Sequence, residues 1–288
     1  MAGMDARPTG TIERLGPGLA RILAPNPSPF THTGTQTYFV GIRELAVIDP
    51  GPDDPAHVAA LIDAVRGTPV RAILVTHNHR DHSPAARALR AATGAPILGC
   101  APLALAEDGP PTDEAFDLDH RPDRVLADGE SVVGEGWTLE TVATPGHTSN
   151  HLCFAWREAA ALFSGDHVMG WSTSVVAPPD GDMAAYMASL DRLLGRPEQL
   201  YYPTHGPAIR DAHDHVRKLI AHRRERERQV LAALDAGDGR IPAIVADLYR
   251  HVDPRLHPAA ERSVLAHLID LRGRGLVREE EGRWTRAG

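Results

Sequence analysis

Cysteine is scarce in this chain of 288 residues: there are two, Cys100 and Cys153, each beside apolar neighbours. They read as two buried free thiols, which argues against a disulfide framework and against a cysteine metal pair. Lysine is scarcer still, since Lys218 stands alone among 30 basic residues. This arginine bias can follow from genomic base composition and carries no function by itself. Long apolar runs are also missing. None reaches the roughly 18 residues of a membrane span, and residues 1–30 lack the continuous apolar core of a secretory leader and carry Asp5 and Glu13. The expected setting is therefore a reducing cytoplasm. Positive charge is short in the body but not in the tail. Residues 1–207 hold 14 basic and 25 acidic side chains, net −11, whereas residues 208–288 hold 16 and 13, net +3. The two stretches present different surfaces.

What is present is enough apolar material for a sizeable core, 42% of the residues, in a chain long enough for two domains. Residues 11–24 alternate around Gly16-Pro17-Gly18 and predict a hairpin. Strands are expected at 37–41, 45–49, 72–75, 96–99, 137–142, 152–156 and 160–164. Helices are expected over 53–66, where Val58, Leu61, Ile62 and Val65 recur at helical spacing, and over 84–92. Ser83-Pro84 reads as an N-cap with Pro at the first helical position. Strands alternating with helices indicate an α/β arrangement. The Pro- and acid-rich segment 107–123 reads as a surface loop.

The chemistry concentrates in Thr76 to Ser83, THNHRDHS, which follows the apolar run 72–75. His77, His79, Asp81 and His82 lie within six residues on a strand-to-helix turn. Residues two apart in an extended segment point the same way, so His77 and His79 can converge on one ion, leaving Asp81 and His82 to turn toward another. Imidazole with carboxylate suits Zn(II), and also Mn or Fe as oxygen ligands increase. Three later turns, each flanked by Gly or Pro after a strand, deliver one more donor apiece: His147 in TPGH, Asp166 in SGD and His205 in THGP. Alone, each reads as an ordinary polar turn. Together with the first cluster they complete what a two-metal site requires.

This order, HxHxDH, PGH, SGD and THG, resembles the metallo-β-lactamase-fold hydrolases over about residues 12–207. The resemblance implies a four-layer αβ/βα body in which His77, His79 and His147 bind one metal, Asp81, His82 and His205 a second, and Asp166 bridges them. It implies two divalent ions per chain, Zn2+ first, with Mn2+ or Fe2+ as substitutes. Several branches fit poorly. A true β-lactamase of this fold is exported and does not usually bridge with Asp. Iron-type redox members resemble HxExDx, where this chain has His79. Nucleases of the cleavage-and-polyadenylation type insert a large domain where only 38 residues separate Asp166 from His205. Glyoxalase II enzymes typically carry a Gly pair where Ser83-Pro84 stands.

The tail narrows the resemblance. It predicts one long Arg-rich helix from Pro207 to Ala236, a stop at Gly237-Asp238-Gly239, two helices at 241–249 and 259–272, and a hairpin around Glu279-Glu280-Glu281-Gly282. Helix, helix and wing resemble a winged-helix domain, and the whole resembles the β-lactamase-like protein 2 family, with a hydrolase domain at 1–207 and a winged-helix-like domain at 208–288. That family includes single-stranded-RNA endonucleases, and a neighbouring group contains carrier-protein thioesterases. The expected reaction is attack by a metal-activated hydroxide, with single-stranded RNA as the leading substrate and an acyl thioester next. A metal-stabilised nucleic-acid-binding or regulatory protein with little turnover is the reading from another class. In the tail, Arg262, Arg272, Arg274 and Arg278 are candidate phosphate contacts, but net +3 is too little for strong duplex DNA binding. Winged helices also serve as packing or homodimer modules. Asp81 is the candidate for orienting the attacking water. His151 is a candidate proton donor or a hydrogen-bonding support for a ligand. Asp49 is a candidate support for a ligand histidine or a turn-forming residue, and Trp171 to Ser174 are candidates for the substrate entrance.

Overall fold

The computed structural model describes residues 8–104, 115–237 and 239–287. They fall into two compact units: the first comprises Met1–Thr144, Asn150–Ser172 and Pro197–Ala212, the second Pro145–Ser149, Thr173–Arg196 and His213–Gly288. Of the loop expected at 107–123, residues 107–114 lie outside the described residues, as does Asp238 of the expected helix stop.

The first unit contains two sheets. Strands β1 (Glu13–Gly16), β2 (Leu19–Leu23), β3 (Gln36–Val40), β4 (Leu45–Ile48), β5 (Val70–Val75), β6 (Ile97–Gly99) and β7 (Arg124–Val125) lie side by side in chain order. Neighbours β1 to β4 pair antiparallel and β4 to β7 parallel. The second sheet has the order β12 (Leu200–Pro203), β11 (Ala161–Gly165), β10 (Leu152–Trp156), β9 (Trp137–Ala143), β8 (Ser131–Gly134), and only β11 and β12 are parallel. Parallel strands are covered on both faces, so they read as unbroken apolar runs; β4 and the last four residues of β5 are buried throughout. Phe39, Val47 and Ile73 from one sheet share a core with Trp137, Phe154 and Phe163 from the other. Helices α1 (Pro55–Ala64) and α2 (Ala85–Thr93) add Leu61 and Leu89 to that core. Asp54 caps α1 by accepting from the His57 backbone at 2.9 Å.

Two expectations need correction. The Ser83 hydroxyl does not cap α2; it donates to Asp117 Oδ2 at 2.8 Å, and Pro84 takes the cap position without a side-chain bond. The long tail helix does not start at Pro207. Tyr201 and Ile209 exchange both backbone hydrogen bonds at 2.9 Å, which turns 207–211 back along β12, so that α4 begins only at Ala212 (Ala212–Ala236).

The second unit holds α3 (Met183–Leu194), most of α4, α5 (Ile241–Leu248), α6 (His257–Gly273) and the hairpin β13 (Val277–Glu280) with β14 (Arg283–Arg286). Helix α3, together with strands β7 and β8, goes beyond the elements expected from the sequence. The hairpin turns through Glu281 at φ +50° and Gly282 at φ +74°, the left-handed pair that a two-residue turn requires. Val277 and Trp284 of the hairpin pack with Val230, Ile244, Val264 and Leu268. Gly239 has no room for a side chain, because a Cβ there would lie 1.8 Å from the Trp284 carbonyl oxygen.

His267 of α6 is buried in this unit, and among the described residues neither ring nitrogen has a hydrogen-bond partner. Burial, followed by the nearby Arg223 and Arg226 charges, lowers its pKa from the usual 6.5 to about 3. The unfolded chain thus takes up a proton near pH 6.5 that the folded chain refuses until about pH 3. Stability contributed by neutral His267 is whole above about pH 6.5 and falls as the pH drops toward 3, by up to about 1.4 kcal/mol per pH unit. Denaturant midpoints measured from pH 7 to pH 4 should fall more steeply for the wild type than for His267→Leu; parallel curves would refute this.

Candidate metal centre

The site grows from the carboxyl ends of the parallel strands. Asp49 follows β4, Thr76 to His82 follow β5, Asp166 follows β11, and Thr204-His205 follow β12. In an open α/β sheet the loops beyond those ends form the natural ligand crevice.

Asp49 is buried and is held at φ +47°. Its Oδ1 accepts from the Thr76 backbone at 2.8 Å, and its Oδ2 accepts from the hydroxyls of Thr76 at 2.8 Å and Thr204 at 3.0 Å. His82 Nδ1 stands 3.1 Å from the same oxygen. These bonds determine which ring nitrogens carry protons. A carboxylate can only accept, so His82 donates through Nδ1 and points the Nε2 lone pair the other way. Thr76 gives its one hydroxyl hydrogen to Asp49, so at 3.0 Å its oxygen accepts from His77 Nδ1, which leaves the lone pair of the neutral His77 ring at Nε2. His205 Nδ1 faces the Gly34 carbonyl at 3.3 Å, which again leaves Nε2 as the free lone pair.

The freed atoms converge. His77 Nε2 lies 2.9 Å from His79 Nδ1. His77, His82 and Asp166 offer atoms within 4.8 Å of one another, and so do Asp81, His82 and His205. Asp166 Oδ2 is 3.6 Å from His82 Nε2 and its Oδ1 3.4 Å from His205 Nε2; Asp81 Oδ2 is 3.4 and 3.1 Å from the same two nitrogens. Yet among the described residues the buried Nε2 atoms of His82 and His205 make no hydrogen bond. Lone pairs and carboxylates converging with their tautomers fixed from behind fit a divalent cation. The electrostatics agree. Burial alone would lower His82 and His205, but Asp81 and Asp166 raise His205, and raise His82 well above its ordinary value. Burial would raise Asp81, but His82 and His205 hold its carboxyl well below the usual range.

Of the sequence candidates, His77, His79, Asp81, His82, Asp166 and His205 meet in the first unit. His147 belongs to the second unit, on the turn 145–149, and its Nδ1 donates to the Val175 carbonyl at 2.5 Å, leaving Nε2 as its lone pair. His151 is buried, with Nδ1 2.8 Å from the Thr144 hydroxyl and Nε2 accepting from the Asp166 backbone at 3.2 Å. That arrangement fits support of Asp166 and leaves poor access for proton donation. Trp171 stacks on His32 with ring centres 4.8 Å apart, beside Gly170, whose backbone donates to the His205 carbonyl at 3.0 Å. The roles of Thr76 and Thr204 were not readable in advance, although the repeated Thr-His at two strand ends was a usable signal.

A model of the metallo-beta-lactamase superfamily matches residues 31–205, and one of the beta-lactamase associated winged helix domain matches residues 241–284. A beta-lactamase-like protein 2 homolog of Drosophila melanogaster is 31% identical, over 93% of this chain and 92% of its own. An atrochrysone carboxyl ACP thioesterase of Aspergillus chevalieri is 34% identical, over 83% of this chain and 75% of its own. The crystal structure of a metallo-beta-lactamase family protein from Thermus thermophilus superposes with a TM-score of 0.76 at 25% identity, over 94% of this chain and 99% of that one.

The hydrogen bonds to Asp49 predict its weight in stability. Asp49→Ala removes one charged acceptor and strands the buried hydroxyls of Thr76 and Thr204, at a cost of about 3 kcal/mol or more. Denaturant unfolding in chelator, so that no metal contributes, should show it; a loss under about 1 kcal/mol would contradict the bonding scheme.

Proposed function

The chain belongs to the metallo-β-lactamase superfamily, and from that premise we propose that this hydrolase cleaves acyl thioesters, of the carrier-protein or glyoxalase II kind, with two divalent ions, Zn2+ first. His77, His79 and His147 would hold one ion, Asp81, His82 and His205 the other, with Asp166 shared. Such a pair supplies an activated water and polarises the carbonyl under attack. The residues of the chain supply the positioning. Asp81 keeps its oxygen among His82, His205 and the Thr35 hydroxyl at 3.4 Å, where it can orient the water. His151 fixes the backbone of Asp166, and the exposed Trp171 on His32 offers a flat apolar face beside His205.

One observation carries the choice of substrate: three of the four arginines expected to meet phosphate, Arg272, Arg274 and Arg278, stand beside carboxylates. Arg274 meets Glu227 and Asp270, Arg272 lies 3.9 Å from Glu279 and over the Trp284 ring, and Arg278 lies 3.7 Å from Glu280. That weakens the pull of these three positions on a phosphate backbone. Leaving-group chemistry points the same way. A thiol leaves as a thiolate of pKa ~8.5 and needs little proton help, whereas a ribose alkoxide is far more basic and needs a donor that His151 is badly placed to be. The likeness to a carboxyl ACP thioesterase supports the reading. Single-stranded RNA remains the second reading because the tail is a winged helix, a shape that often meets nucleic acid.

Elemental analysis of protein loaded with zinc should find two ions per chain. Asp166→Ala should find fewer and should lose about 10³-fold in kcat/KM on acyl carrier and acyl-CoA substrates, equivalent to ~4 kcal/mol of transition-state stabilisation. If the wild type, but not Asp166→Ala, cut labelled single-stranded RNA and spared the thioesters, the substrate assignment would move to RNA.

A further inference from the structure

The second unit contains a buried arginine with no carboxylate to balance it. Arg223 of α4 is 4% exposed, and among the described residues it forms no ion pair. Its Nη2 donates to the Ser174 carbonyl, its Nη1 lies 3.5 Å from the Ser263 hydroxyl of α6, its guanidinium sits 5.3 Å over the Tyr186 ring of α3, and its Nε is unpartnered. Burying an unneutralised cation costs several kcal/mol that an apolar side chain of the same bulk would avoid. A residue kept at that cost is suspected of a task, and its contacts indicate one. The carbonyl it holds, that of Ser174, immediately precedes the carbonyl of Val175, which accepts from His147 Nδ1.

Other contacts within this unit restrain the backbone of the turn that carries His147. Gly146, at φ +139°, lies so close to α3 that a Cβ would stand 2.3 Å from Tyr186 Cα. The Asp182 backbone donates to the Gly146 carbonyl at 2.9 Å, the Ser189 hydroxyl to the Pro145 carbonyl at 2.8 Å, and the Ser149 backbone to Asp180 at 2.9 Å. The ring itself is held by the Val175 carbonyl, whose neighbouring carbonyl is anchored by Arg223. We infer that Arg223 is a positioning residue for the metal site: by holding Ser174 it fixes Val175, and through Val175 the tautomer and ring angle that turn His147 Nε2 outward as a ligand. The winged-helix tail, through α4, would then help to set up one half of the metal pair. This inference rests on the dinuclear reading only for the role of His147; the hydrogen-bond relay can be tested without metal.

The test uses the full chain labelled with 15N-histidine. In metal-free wild type the Nδ1–H of His147 should appear as a slowly exchanging imidazole signal, assigned by its loss in His147→Gln. In Arg223→Met that signal should vanish into exchange with water while the His82 Nδ1–H, bonded to Asp49, persists; Arg223→Lys, which keeps a donor, should restore part of it. In zinc titrations against a chromophoric chelator, Arg223→Met should weaken the same one of two sites that His147→Gln removes, by roughly 10- to 100-fold, and leave the other unchanged. A His147 signal as strong in Arg223→Met as in the wild type would overturn the inference, as would equal weakening of both sites. Should Arg223→Met fail to fold, Arg223→Lys is judged by the same readouts, and wild-type behaviour in both overturns it. A wild type that binds no zinc defeats the dinuclear reading, while the His147 signal still decides the relay.

Discussion

One buried carboxylate ties the first unit's site together. Asp49 accepts from the threonine at the end of β5 and from the threonine at the end of β12, strands that belong to different sheets, and also faces His82. A charge so buried is tolerated only when its lone pairs are used, and these are used by groups that must come from both sheets. The bonds of one residue thus join the sheets at the end where the donors gather. The Tyr38 hydroxyl, donating to the Pro203 carbonyl at 2.7 Å, and Gln36 Nε2, donating to the Gly206 carbonyl at 2.6 Å, repeat the same join from β3.

The arrangement behind the histidines matters as much as the histidines. At His77, His82, His205 and His147 a hydroxyl oxygen, a carboxylate or a backbone carbonyl takes the Nδ1 proton. Each imidazole, when neutral, therefore presents its lone pair at Nε2 with the ring angle fixed, so little reorganisation is needed when a cation binds. His79 differs in turning Nδ1 toward its neighbour, with its ring 4.7 Å from that of Phe116. The Asp81 and Asp166 carboxylates raise the proton affinities of His82 and His205, so hydrogen ions compete with a metal for those two rings.

Much of this was legible because the signal was local. HNHRDH puts four donors in six residues, and each later donor sits in a Gly- or Pro-flanked turn after a strand, so residue type and position agree. The supporting partners were not local. Whether Thr204 would reach Asp49, 155 residues away, depends on how two sheets face each other, which no pattern along the chain records. Ser83 shows the converse error: its local pattern promised a cap, but Asp117 outbid the helix end for its hydroxyl. Helix α3 is a different kind of miss, since Asp182 followed by buried Met183, Tyr186, Leu190 and Leu193 carries the full helical period. The two-residue strand β7 carries no such pattern and is defined by pairing alone.

The tail's charge is where formal counting misleads. A net of +3 over residues 208–288 suggests a cationic surface, yet several of these cations stand beside carboxylates: Arg274 beside Glu227 and Asp270, Arg286 beside Asp235 at 3.3 Å, Lys218 beside Asp214 at 2.7 Å. Exposed pairs of this kind add little stability, about 0–1 kcal/mol each. Their larger effect is to remove the field that would draw a polyanion from a distance, because paired charges look neutral beyond a Debye length of ~8 Å. Arg223 is the exception, a cation buried against a carbonyl, a hydroxyl and an aromatic face and unavailable to any ligand at the surface. The second unit thus sets several exposed cations beside carboxylates and turns its buried Arg223 onto a carbonyl, a hydroxyl and an aromatic ring.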